Sequence, residues 1–243
     1  INLGFAIGLT LGGLLATVSF TLLFVCDGAT SMLYALLVWR GVPETHPDAA
    51  ARAAGKPAGS ALGGFLAPFR DRPFVAFLAL NFLTALVFMQ NLTAMPLDMI
   101  AHGVSRAAYG VVFGLNGVLI VMLQPFLGPL LSRWNRSHAI AAGSLLLGIG
   151  FGWNALAVAA PAYAIGVAVW SVGEMAVLPV ANAMVADLAP VETRARYQGA
   201  FGVSFGLAAC VAPALGSFVL QRLGGVALWT GCLAVGVVVA AGQ

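Results

Sequence analysis

Residues 170–216 read WSVGEMAVLPVANAMVADLAP (170–190), VETRARYQGA (191–200) and FGVSFGLAACVAPALG (201–216). An apolar span carries one carboxylate, Glu174, near its middle. A short charged hinge follows, then a second apolar span rich in small residues with Pro213 inside it. A carboxylate set in the middle of a lipid-spanning helix is costly, so Glu174 stands out as a functional-site candidate.

The rest of the chain repeats this texture. It is 61% hydrophobic and 8% charged, with mean hydropathy +0.99, where a soluble domain carries roughly 25% charged residues. Runs of about 20 apolar residues are the mark of membrane-spanning helices, and they recur along the whole length. The net charge of +3 points to no nucleic-acid partner, because the basic residues sit in loops and form no patch. Cys26, Cys210 and Cys232 fall in apolar spans and read as small hydrophobes. No cysteine or histidine spacing suggests a metal, and no cofactor is expected. Nucleotide and zinc-protease motifs are absent from the sequence, and no enzyme chemistry is expected.

Eight spans are expected, over 1–17, 20–39, 74–93, 110–131, 138–156, 160–184, 198–220 and 226–241. The chain opens at Ile1 inside an apolar run, which reads as a stretch of a longer protein. Three loops hold Arg40, Arg52, Lys56, Arg70, Arg72, Arg133, Arg136, Arg194 and Arg196, whereas the opposite side has only Arg106 and Arg222. Basic loops stay inside, which sets those three loops and both chain ends in the cytoplasm. Residues 40–73 are rich in Ala, Gly and Pro and read as a linker between two bundles.

The first and seventh spans carry small residues at helical spacing: Gly4, Gly8, Gly12 and Gly13 in one, and Ala208, Ala212, Pro213 and Gly216 in the other. Small residues four apart let a neighbouring backbone come close, and a proline favours a bend. Two such faces about six helices apart suggest an internal repeat.

These residues carry a family resemblance. Gly4, Gly8, Gly12 and Gly13 are similar to the antiporter motif of the major facilitator superfamily, Gly-x-x-x-Gly-Pro-x-x-Gly-Gly, with Leu9 where that motif has Pro. Ala212, Pro213 and Gly216 resemble its copy in the eleventh helix. Gly128, Arg133 and Arg136 resemble the family's cytoplasmic loop motif, with Ser132 in place of Asp and Asn135 in place of Gly. Gly173, Glu174, Pro179, Ala189, Pro190, Arg194, Arg196, Tyr197 and Gly199 resemble a run found in drug-efflux members, with Ala195 replacing a Gly.

The resemblance implies an all-α polytopic membrane protein, a major-facilitator-type helix bundle of which about eight helices, the fifth to the twelfth, are present. Residues 1–39 would end the N-terminal bundle, 40–73 form the central cytoplasmic loop and 74–243 the C-terminal six-helix bundle. It further implies a drug:proton antiporter of the multidrug-efflux type in a bacterial inner membrane. The implied partners are a small-molecule substrate, protons and the lipid bilayer. Uptake of a nutrient or lipid, or a non-transporting membrane scaffold or sensor, stay open beside efflux.

The polar residues inside spans are the candidate substrate and proton sites. Desolvation favours a neutral carboxyl, so a membrane-embedded acid can exchange protons near neutral pH. Glu174 and Asp27 are the two acids within spans. Trp170 lies one turn from Glu174 on the same helical face and could hold an aromatic cation beside it. Asp27 shares a face with Thr30, Ser31 and Tyr34. Asn81, Asn91, Asn116, Gln124 and Asn182 must each face protein or a water-filled cavity. His46, His102 and His138 are read as loop or span-end residues that form no cluster, and Asp98 likewise as a loop or span-end acid.

Overall fold

The computed structural model describes residue 15, residues 19–43 and residues 66–243. The glycines at 4, 8, 12 and 13, the first expected span and most of the linker lie outside the described residues. Two compact units divide the chain, 1–64 and 65–243.

In the first unit, α1 (Phe20–Gly41) is capped by Ser19, whose hydroxyl accepts the Leu22 N–H at 3.3 Å. None of its residues is buried. Phe24, Met32, Leu33, Leu37 and Trp39 are all exposed, a surface suited to lipid or apolar partners.

The second unit holds α2 (Arg72–Phe88), α3 (Ala94–Ala101), α4 (Arg106–Leu131), α5 (Arg136–Trp153), α6 (Ala160–Leu188) and α7 (Arg194–Gly242). Short 3-10 turns at Ala67–Arg70, Met89–Asn91, Asn154–Leu156 and Val191–Thr193 join them. Every described regular element is helical. Six helical runs are long and apolar enough to cross a membrane. The last of these is broken at Gly224, where φ is +85° and ψ 170°, leaving two arms, 194–223 and 225–242. Positive φ is cheap only for glycine, so the hinge between the seventh and eighth expected spans falls at the residue able to make it. This is an all-α polytopic membrane protein.

The third expected span needs correction. It was to end at residue 93, but the helix resumes as α3 and runs to Ala101. Pro96 has no N–H and its ring clashes with the carbonyl four residues back. The helix therefore loosens into the Met89–Asn91 turn and restarts at Ala94 with the proline in its first turn. Asp98 then lies one turn into a buried helix rather than in a loop.

Glycines set how closely the helices pack. A Cβ on Gly150 of α5 would sit 2.5 Å from the Trp170 nitrogen and 2.7 Å from the Gly166 carbonyl of α6. One on Gly173 would sit 2.6 Å from the Gly143 carbonyl. The second arm of α7 meets α5 in the same way, Gly236 against Gly148. Two apolar clusters complete the core. One gathers Met95, Met99, Phe151, Tyr163, Trp170 and Trp229; the other gathers Phe74, Phe77, Val185, Tyr197 and Phe201. The outer face of α4, with Val111, Val118, Met122 and Phe126, is exposed.

Candidate functional site

Gly173 faces the α5 backbone, and the next residue along α6 is turned about 100° away from it. This points Glu174 off the α5–α6 contact. The side chain is 7% exposed. Asn116 of α4 donates from Nδ2 to Glu174 Oε2 at 2.7 Å and to Ser171 Oγ at 2.9 Å. A carboxylate accepting a short hydrogen bond from a neutral amide is satisfied without a cation, and among the described residues no Lys or Arg lies within 4 Å of it.

Glu174 also lines a narrow cleft together with Asn81, Thr84, Phe88 and Phe205. Asn81 donates to Ser204 Oγ at 2.7 Å, joining α2 to the first arm of α7. The arrangement offers a buried acid able to take or release a proton, a carboxamide partner that holds it, and a mostly apolar wall.

The other candidate residues lie apart from this cleft. Trp170 is fully buried, with its ring 5.4 Å from Phe151 in a stacked pair and edge-on to Phe88 at 6.0 Å. No open ring face remains for a cation, and the residue serves the core. Asn91 is buried, and its main-chain carbonyl accepts from the Tyr109 hydroxyl at 3.5 Å. Gln124 is half-buried two turns beyond Asn116, while Asn182 is exposed and bonds to the Leu178 carbonyl at 2.8 Å. Asp27 is exposed on α1, where the Thr30 hydroxyl bonds to the Cys26 and Asp27 carbonyls.

Pro213 and Gly216 sit where α7 meets the break between α2 and α3. Gln90, 3% exposed, donates from Nε2 to the Ala212 carbonyl at 3.3 Å and to the Leu86 carbonyl at 3.1 Å. Its Oε1 accepts from the Thr93 hydroxyl at 3.1 Å and lies where a Cβ on Gly216 would be. At the opposite end, the Tyr197 hydroxyl donates to Asp71 Oδ2 at 3.1 Å, and Asp71 caps α2 through the Phe74 N–H. Arg136 pairs with Asp187 at 2.7 Å. Arg133, Arg194 and Arg196 are exposed, and space around Gly128 is open.

One cluster escaped the sequence reading. Asp98, 3% exposed, accepts from the Tyr163 hydroxyl at 2.8 Å and from the Trp229 indole at 2.9 Å, both at Oδ2. His102 Nδ1 lies 3.1 Å from that hydroxyl, so His102 does join a cluster. The signal was the i, i+4 spacing of Asp98 and His102, hidden by ending the span at residue 93.

Comparison with known proteins gives the setting of these sites. The chain is 25% identical over 203 residues to an uncharacterized MFS-type transporter, YttB, of Bacillus subtilis (strain 168), an alignment covering 82% of this chain and 49% of that protein. The chain thus spans about half the length of that relative. The Major Facilitator Superfamily model matches residues 77–242, which takes in Glu174, Asn116, Asp98 and every described helix of the second unit at least in part. With that match over more than half its length, the chain belongs to the Major Facilitator Superfamily.

Proposed function

We propose that this chain is part of a secondary transporter that exchanges protons for small lipophilic or cationic compounds, exporting them by alternating access. The observation that carries the reading is Glu174: a carboxylate in an apolar span, held by Asn116 and facing a cleft walled by Phe88 and Phe205. An acid so placed can be neutral when it takes a proton and charged when it faces a cation, which is the differential affinity that coupling needs. Residues 1–39 would belong to one helix bundle and 74–243 to the other, joined by a cytoplasmic loop at 40–73. The excess of basic residues in the loops after the second, fourth and sixth expected spans supports cytoplasmic chain ends. The breaks at Gly224 and at Met89–Asn91, and Pro213 inside α7, would let helices bend as the bundles rock.

The test is dye efflux by the full-length parent in a drug-sensitive bacterial host, with and without a proton gradient, for wild type and Glu174→Gln. Gradient-dependent efflux that the substitution removes is the expected result. Equal efflux and equal pH dependence in the two proteins would sink the role of Glu174. No efflux from a protein shown to be in the membrane would favour uptake of a nutrient or lipid.

A further inference from the structure

Asp98 forms a second buried acid site with a route to the protein surface. The Nδ1 of His102 lies 2.9 Å from the main-chain carbonyl of Asp98, a group that can only accept, so Nδ1 carries a hydrogen. The same nitrogen is 3.1 Å from the Tyr163 hydroxyl, which donates onward to Asp98 Oδ2 at 2.8 Å. The His102 side chain is 39% exposed and that of Asp98 is 4% exposed. A line of hydrogen bonds therefore runs from an exposed imidazole through one hydroxyl to a buried carboxyl.

The groups facing Asp98 are few. His102 comes from α3 itself, with Nδ1 3.8 Å from Oδ1. Tyr163 comes from α6, and α7 supplies the Trp229 indole and Gly225, where a Cβ would come within 2.6 Å of Oδ1. On α4, Tyr109 is engaged with the Asn91 carbonyl. Among the described side chains no Lys or Arg lies within 4 Å of Asp98. Tyr163 and Glu174 are eleven residues apart on α6, about 16 Å along its axis, so this site is separate from the cleft at Glu174.

We propose that His102, Tyr163 and Asp98 form a proton relay that loads Asp98 from the surface. Water gives a proton to Nε2 of His102. The Nδ1 hydrogen of the resulting imidazolium passes to Tyr163 Oη as the hydrogen on Oη passes to Asp98 Oδ2. The imidazolium becomes a neutral ring carrying its hydrogen on Nε2, Tyr163 stays neutral, and Asp98 becomes a neutral carboxyl. Oδ2 then carries a hydrogen on its Tyr163 side and, no longer charged, is a weaker acceptor for the Trp229 indole, so α3 loosens its hold on the second arm of α7. A part for this site in transport rests on the proton-coupled reading above, whereas proton binding at Asp98 does not.

Infrared difference spectra of the full-length transporter in lipid vesicles, taken between acid and alkaline buffer, read the carbonyl stretch of protonated carboxyl groups. A band present in wild type and in Glu174→Gln but lost in Asp98→Asn is expected. After a pH jump, Tyr163→Phe and His102→Gln should keep that band and gain it more slowly, by on the order of tenfold or more. The absence of any such band in wild type, or its survival in Asp98→Asn, would overturn the site. Wild-type rates in both Tyr163→Phe and His102→Gln would overturn the relay. An Asp98 band in a protein that moves nothing in response to a proton gradient would refute proton-coupled transport and leave this site standing.

Discussion

Replacing Gly150 by Ala tests whether α5 and α6 are held by backbone contact. The added Cβ would meet the Trp170 nitrogen at 2.5 Å and the Gly166 carbonyl at 2.7 Å, where ordinary contact begins at 3.4 Å. Both atoms are main chain and cannot swing aside, so the helices must part by about 0.9 Å, the difference between 3.4 and 2.5 Å. A gap of that size forfeits a quarter to a half of each dispersion contact along the seam. Overpacking of this kind costs about 1–3 kcal/mol. Gly231→Ala is the control, because nothing lies within 4 Å of its Cβ, and Ala in a helix is favoured over Gly by roughly 0.5–1 kcal/mol. The two substitutions should move the unfolding midpoint of the purified full-length protein, titrated with denaturing detergent, in opposite directions. Gly150→Ala/Gly173→Ala should cost less than the sum of its parts, since one separation relieves both clashes. A Gly150→Ala protein as stable as Gly231→Ala would refute the backbone-contact account.

Four further outcomes can be checked by the same unfolding titration. Gly216→Ala puts a methyl where Gln90 Oε1 sits, and displacing that buried amide should cost about 1–3 kcal/mol. Asn116→Leu removes the hydrogen-bond donor to Glu174, at a cost of about 1–3 kcal/mol. That loss should shrink in Asn116→Leu/Glu174→Gln, because no charge is then left unpaired. Tyr197→Phe breaks the tie to Asp71 at the start of α2 and should cost about 0.5–1.5 kcal/mol. Arg136→Ala loses a pair whose side chains are 39% and 56% exposed. It should change stability by less than about 1 kcal/mol, and less still in high salt.

Among the described residues the spans were legible, but for the end of the third, because lipid solvation leaves a continuous apolar signal that periodicity need not refine. The hinge at Gly224 was legible for the same reason, lying in the gap between two apolar runs. Which faces meet was not. Asn116 and Glu174 were each singled out as polar residues in lipid, yet they stand 58 residues apart, and nothing in either span says that α4 presents its amide to α6. Attention to small residues four apart found Ala212 and Gly216 but passed over Gly143 and Gly150, and Gly166 and Gly173. Each of those pairs is seven apart, two full turns on one face, and these carry the tightest helix contact. Trp170 shared Glu174's face by spacing, but a side chain that size was taken by the core. Asp98 was lost through Pro96: a break read as an end removed a buried acid from the inventory.

Rotation along α6 connects the two acid sites to the glycine seam. Tyr163 and Glu174, eleven residues apart, differ by about 20° around the helix, and Gly166 and Gly173 lie about 60–100° to one side of them. One face of α6 is thus locked to α5 by backbone contact, and the neighbouring face carries a group from each site. The partners of those groups come from elsewhere. Asn116 is on α4, which holds Pro125 and Pro129; Asp98 is on α3, past the Met89–Asn91 break; Trp229 is on the arm beyond Gly224. Each site therefore pairs a side chain on the part of α6 before Pro179, which the glycines hold against α5, with one on an element that contains a proline or a break. Proline and positive-φ glycine are where a helix bends at least cost. A proton added to either acid changes the hydrogen bonds between these two parts while the glycine contacts of α5 and α6, which involve no acid, stay as they are. Movement in this unit should accordingly fall in α3, α4 and the arms of α7, with α5 and the part of α6 before Pro179 travelling together.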